Sequence, residues 1–116
     1  MHTIMKESLK KYLEYIDSDE DFSFKVRMEA EWDDHAYQEF LRLLTAVIHD
    51  YKDSGLMPIP VMLFFTSGLD QLIGIVTNPL FFKTASREYE DLVRGRVAEL
   101  EMLQKKFLCG ELFMQS

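Results

Sequence analysis

Apolar positions recur at intervals of three and four over most of the chain. Met5, Leu9, Tyr12, Leu13 and Ile16 trace one face of a helix over 4–16, with Thr3 as its N-cap and the polar run 17–21 as its end. A broader face, Ala36, Phe40, Leu43, Leu44, Val47, Ile48 and Tyr51, predicts a second helix. Asp33 is its N-cap, Asp34 suits the positive end of its dipole, and Gly55 stops it ahead of Pro58 and Pro60.

The next segment is the most apolar. Residues 56–82 carry one charge, Asp70. Val61, Phe64, Phe65, Gly68, Leu69, Leu72, Ile73 and Val76 keep helical spacing, and the polar residues Thr66, Ser67, Asp70, Gln71, Gly74 and Thr77 form a narrow stripe with the same period. One helix over 59–77 explains both sets, with Pro60 in its first turn and Asn78-Pro79 ending it. The competing pattern is a strand over 61–65 and a shorter helix capped by Ser67, with Asp70 at the capping-box position. The single helix accounts for more residues. Beyond a loop whose apolar side chains fold back on the core, a last helix over 86–108 turns Tyr89, Leu92, Val93, Val97, Leu100, Leu103 and Phe107 inward. Arg87–Asp91, Glu90–Arg94 and Glu101–Lys105 support it as i,i+4 pairs, and Gly110 follows as a stop.

Residues 22–32 break this rhythm. Phe22, Phe24, Val26, Met28, Ala30 and Trp32 alternate with Ser23, Lys25, Arg27, Glu29 and Glu31, the period of a half-buried strand. Met, Ala, Glu, Lys and Arg favour helix instead. Read as a strand, 22–31 needs a pairing edge, from 112–115 or from the same strand of a second subunit. The expectation is a mainly α, four-helix antiparallel bundle-like domain spanning 1–116, with one short strand at about 22–31.

Charge sharpens this picture. The chain has 116 residues and a net charge of −7, and the segment 17–53 alone carries eleven acidic and four basic residues. No basic stripe of the kind that binds phosphates is present, which argues against nucleic acid. A bilayer span over the apolar segment is disfavoured by Asp70 and Gln71 at its middle. One cysteine, Cys109, and a charged N-terminal segment suit a reducing cytoplasmic setting.

Chemistry is sparse. "WDDH" (Trp32, Asp33, Asp34, His35) with Glu39 a turn later offers metal-ligand atoms, yet His49 lies fourteen residues from His35, about 21 Å along a helix, and cannot share an ion with it. An N-cap with an acidic first turn explains the same residues. His2 is terminal. Cys109 lacks a local Cys–His signature and suits a packed helix end. No catalytic residue, metal or cofactor is therefore assigned.

The pattern favours a non-enzymatic protein–protein interaction module that forms a homodimer, with Trp32, Asp33, Asp34 and Glu39 and the stripe Ser67, Asp70 and Gln71 as interaction residues. Met57, Met62, Met102 and Met114, off the inner faces, fit an adaptable binding surface. Two alternatives follow. One is an immunity or antitoxin type of protein whose acidic 17–53 segment masks a basic partner protein. The other is a small enzyme or ligand-binding protein using Asp70, Tyr37 or His35 in a pocket.

Overall fold

A computed structural model of the chain describes residues 5–113. Its main elements are α1 (Glu7–Ile16), α2 (Phe22–Glu29), α3 (Asp34–Tyr51), α4 (Ile59–Val76) and α5 (Arg87–Leu108). Short 3-10 turns follow α4 at Pro79–Phe82 and α5 at Glu111–Phe113. The described residues include no strand, so the fold is mainly α, as the helical spacing predicts. Contacts cluster into two units, Met1–Val61 and Met62–Ser116, which divide inside α4.

In the first unit α1 and α2 both pack on α3. Helix α1 begins at Glu7 rather than at residue 4. Lys6 is extended (φ −69°, ψ 153°), its amide N–H donates to the Tyr51 hydroxyl at 3.0 Å, and its ammonium donates to the Asp50 carbonyl. These tethers to the end of α3 hold Lys6 out of the helix. The Thr3 cap lies outside the described residues.

The strand expected at 22–31 is instead α2, and side-chain geometry explains why. Phe22 and Val26, one turn apart, are both buried, whereas Met28 stands 70% exposed. The alternation is therefore not a two-faced surface. The Asp21 carboxylate accepts from the Phe24 N–H at 3.3 Å and caps the helix. Ala30 takes a left-handed conformation (φ 52°) and ends it, with the Glu31 N–H reaching back to the Lys25 carbonyl at 3.2 Å. Beyond that turn Trp32 enters the core by an extended link, not by helical periodicity. Of the proposed pairing edge, Leu112 and Phe113 lie in a 3-10 turn, and 114–115 fall outside the described residues.

Helix α3 starts where expected. Asp33 accepts from the Ala36 N–H at 3.1 Å. Its buried face adds Tyr37 to the predicted set, and Tyr51 is only half-buried. The chain turns away at Gly55 (φ 77°), a conformation that suits glycine.

Helix α4 runs on through "SG" as one helix, but with a wider π turn over Phe64–Gly68, where the Leu69 N–H bonds the Phe64 carbonyl five residues back. Val61, Phe65, Leu69, Leu72 and Val76 are buried; the polar stripe from Thr66 to Thr77 is exposed. Asn78 accepts from the Leu80 N–H at 3.0 Å and opens the 3-10 turn, which buries Phe82 and leaves Leu80 exposed.

Helix α5 is capped by Ser86, which accepts from the Tyr89 N–H at 3.1 Å. Val93, Val97, Leu100 and Phe107 are buried, and Phe107 stacks on Phe65 with ring centroids 4.2 Å apart. Leu92, expected inside, is exposed because the core-facing stripe runs through its neighbour Val93. Cys109, expected to pack at the helix end, is also exposed.

Candidate functional site

The residues singled out by sequence gather in two places. Trp32, Asp33 and Asp34 sit at the start of α3. Trp32 is buried between Phe22 (5.3 Å) and Tyr37 (5.1 Å), with its indole N–H directed at Asp34 at 3.3 Å. Asp33 has two roles. One oxygen caps α3 and the other accepts from the Lys25 ammonium at 2.7 Å. The lysine and the capped amide hold its carboxyl below the usual carboxylate range, and Asp33 in turn raises Lys25. Asp34 accepts from the Gln38 amide at 3.0 Å. Glu39 pairs with Arg42 (3.0 Å), which lowers the carboxyl and raises the guanidinium. This group therefore closes a helix end and a hydrophobic cluster. His35 and His49 are both exposed.

Sequence reading missed Asp21 nearby. It belongs to the polar run read as the end of the first helix, yet it is almost wholly buried. One carboxylate oxygen accepts from Ser23 and from the Phe24 amide; the other, Oδ1, has no hydrogen-bond partner among the described residues. Burial raises its pKa, and burial with the nearby Asp21 charge raises the phenols of Tyr12 and Tyr15. The local clue was its position directly before "FSF", where a cap belongs.

Ser67, Asp70 and Gln71 share the exposed side of α4. A residue without any local sequence signal joins them. The Gln104 side-chain amide, from α5, donates to the Phe65 carbonyl at 2.8 Å and to the Asp70 carboxylate at 3.2 Å. It clamps the π turn from the side. Thr66 and Ser67 hydroxyls donate back to the Met62 and Leu63 carbonyls at 2.9 and 3.4 Å. Asp70 thus anchors a turn of its own unit.

Around this stripe the surface is apolar. Leu56 (78%), in the link before α4, and Ile59 (69%), Met62 (47%) and Leu63 (55%), in its first turns, stand exposed. By length and composition α4 could cross a bilayer: its 18 residues have a mean hydropathy of 1.7, and 28% of them are buried. Among the described residues no group of three or more His, Cys, Asp or Glu is placed to hold a metal ion. No protein-family model, curated protein or solved structure matches this chain.

Proposed function

We propose that this chain is a non-enzymatic protein–protein interaction module that self-associates and works in the cytoplasm. The observation that carries the reading is uncovered apolar surface. Of ten large apolar side chains exposed among the described residues, eight fall within 56–108, and three of them, Ile59, Met62 and Leu63, share the first turns of α4. Scattered exposed apolar residues need no explanation, but a contiguous group marks a surface that another molecule covers. Asp33 and Glu39 are engaged in ion pairs, and Asp34 and Asp70 in hydrogen bonds to neighbouring side chains, which favours a surface role over a reactive centre. An exposed thiol at Cys109 suits a reducing compartment.

Light scattering and native capture test this together. Purified protein at micromolar concentration is expected to show a mass about twice 13.7 kDa. A monomer mass at every concentration overturns self-association. Wild type should retain a protein partner that the double variant Ile59→Lys/Leu63→Lys loses. Identical captured sets overturn the role of the α4 surface. Binding of wild type, but not the variant, to phosphatidylcholine vesicles would overturn the protein reading in favour of a lipid surface.

A further inference from the structure

The exposed group in the first turns of α4 is out of phase with the rest of its helix. Leu69, Leu72 and Val76 mark the buried side of the later turns. On an unbroken α-helix, at about 100° per residue, Met62 would stand about 20° from Leu69 and Val61 about 80°. The burial is the reverse: Val61 is wholly buried and Met62 is 47% exposed. The π turn over Phe64–Gly68 accounts for this. It uses five residues where an α turn uses four, so it displaces everything before it by one residue, about 100°. Val61 then falls about 20° from Leu69, and Ile59, Met62 and Leu63 all fall at least about 120° away, on the side where they stand exposed.

A side chain from α5 meets the carbonyl on which this displacement turns. In an α turn the Leu69 N–H would bond the Phe65 carbonyl. Here it bonds the Phe64 carbonyl, and the Phe65 carbonyl accepts from the Gln104 amide at 2.8 Å. The same amide donates to the Asp70 carboxylate at 3.2 Å. A helix carbonyl that loses its α partner is costly to leave without a donor. Gln104 supplies that donor from outside the helix. Closing the turn would supply it from within, at Leu69, and would carry Met62 round to the buried side in place of Val61. Methionine is unbranched and adaptable, so both registers set an apolar side chain at that level. Apolar burial alone does not choose between them; the donor to Phe65 does.

We propose that the start of α4 has two registers, a π register that displays Ile59, Met62 and Leu63 and a closed α register that turns Met62 inward, and that Gln104 is the positioning residue that holds the first. The consequence for docking rests on the reading above. A partner that covers Met62 and Leu63 binds the π register in preference, so partner and Gln104 favour the same state and each strengthens the other. Display of the apolar group is therefore set from α5, by a side chain outside the group itself.

Thiol labelling with a maleimide reads the register directly, in a Cys109→Ser background. Val61→Cys and Met62→Cys each report one position. With Gln104 present, position 62 should label about tenfold or more faster than position 61. Gln104→Leu should shrink that ratio about threefold or more, with position 61 speeding up and position 62 slowing down. Deleting Ser67 removes the extra residue and makes the Phe64–Leu69 bond an ordinary α bond with Val61 still inside. In that background Gln104→Leu should leave the ratio unchanged. An unchanged ratio with Ser67 present overturns the role of Gln104, and both positions speeding up together overturns the second register. Circular dichroism confirms that each variant keeps its helices. If a cysteine variant does not, the Met62 methyl signal carries the test: its broadening by a soluble paramagnetic probe must fall in Gln104→Leu. None of these readouts needs a partner. If the ratio shifts as expected while Ile59→Lys/Leu63→Lys captures the same proteins as wild type, the docking reading fails and the two registers stand. If that double variant loses its partner while the ratio does not move, the docking reading stands and the registers fail.

Discussion

The two units solve opposite problems. Met1–Val61 holds most of the charge, yet it has the denser aromatic core: Phe22 lies 4.8 Å from Phe40, 5.3 Å from Trp32 and 5.4 Å from Tyr37, ring centre to ring centre. Met62–Ser116 includes most of the least charged stretch, yet it leaves Met62, Leu63, Leu80, Leu92, Met102 and Leu108 in solvent. Apolar content alone does not decide what is buried. Burial follows from whether a helix meets neighbours around its apolar face. In the first unit α3 meets both α1 and α2. Helix α4 leaves Ile59, Met62 and Leu63 exposed in its first turns.

The largest effect that would break this contrast is a cavity in the first unit. Phe22→Ala should cost about 3–5 kcal/mol, because it removes the ring on which three other aromatic side chains converge. Leu63→Ala, at an exposed position, should stay within about 0.5 kcal/mol of wild type. Urea unfolding at low protein concentration measures both. Comparable losses would mean that Leu63 is a core residue and that the contrast is wrong.

A smaller effect sharpens the contrast within the first unit, at its two aspartate caps. Asp21→Ala should cost about 1–2 kcal/mol through the lost N-cap of α2. The pH dependence separates Asp21 from Asp33. Burial raises Asp21, so the folded state binds its proton more tightly than the unfolded state does. Its contribution to stability therefore falls as pH rises from the ordinary carboxylate value to the raised folded one, and is level above that. Asp33 is lowered by Lys25, so its contribution is present above the ordinary carboxylate value and is lost as pH falls through the lowered one. Thermal unfolding across acid pH should show the Asp21 slope vanish in Asp21→Asn while the Asp33 slope remains. A pH profile unchanged by Asp21→Asn would show that the buried carboxyl titrates as it does in the unfolded chain.

These pairs also show what a sequence can and cannot disclose. Helices α1, α3, α4 and α5 were legible because each repeats apolar residues every three or four positions, and the Asp33, Asn78 and Ser86 ends carry local signals. Helix α2 was misread because its eight residues span barely two turns, too short for a helical period to outweigh a chance alternation. What governs it is the burial of Phe22 and Val26 against α3, a tertiary fact. The candidate sites were legible in part. Asp33 and Asp70 stood out as charges in distinctive settings. Leu92 was placed inside by its spacing and Cys109 by its place after Phe107 and Leu108, neither of which says which side of the helix meets a neighbour. Gln104 was invisible because its partners lie 34 and 39 residues away.

Gln104 supplies the finest test of the comparison, since it asks whether the second unit depends on polar clamps where the first depends on aromatic packing. Its amide bridges the Phe65 carbonyl and the Asp70 carboxylate, at the turn where α4 widens. Gln104→Leu keeps the side chain's bulk but deletes the donor, and should cost about 0.5–1.5 kcal/mol, the usual net worth of an intramolecular hydrogen bond. Asp70→Asn should cost less, because that carboxylate is exposed and the Phe65 contact survives. Hydrogen exchange locates the effect: amides over Phe64–Gly68 should lose protection in Gln104→Leu, while those of α3 keep theirs. Equal loss of protection in α3 would mean that the substitution loosens the whole chain and that the clamp is not local to α4. Protection unchanged in both helices would mean that the π turn is held by the Thr66 and Ser67 hydroxyls, which bond it from within the same helix.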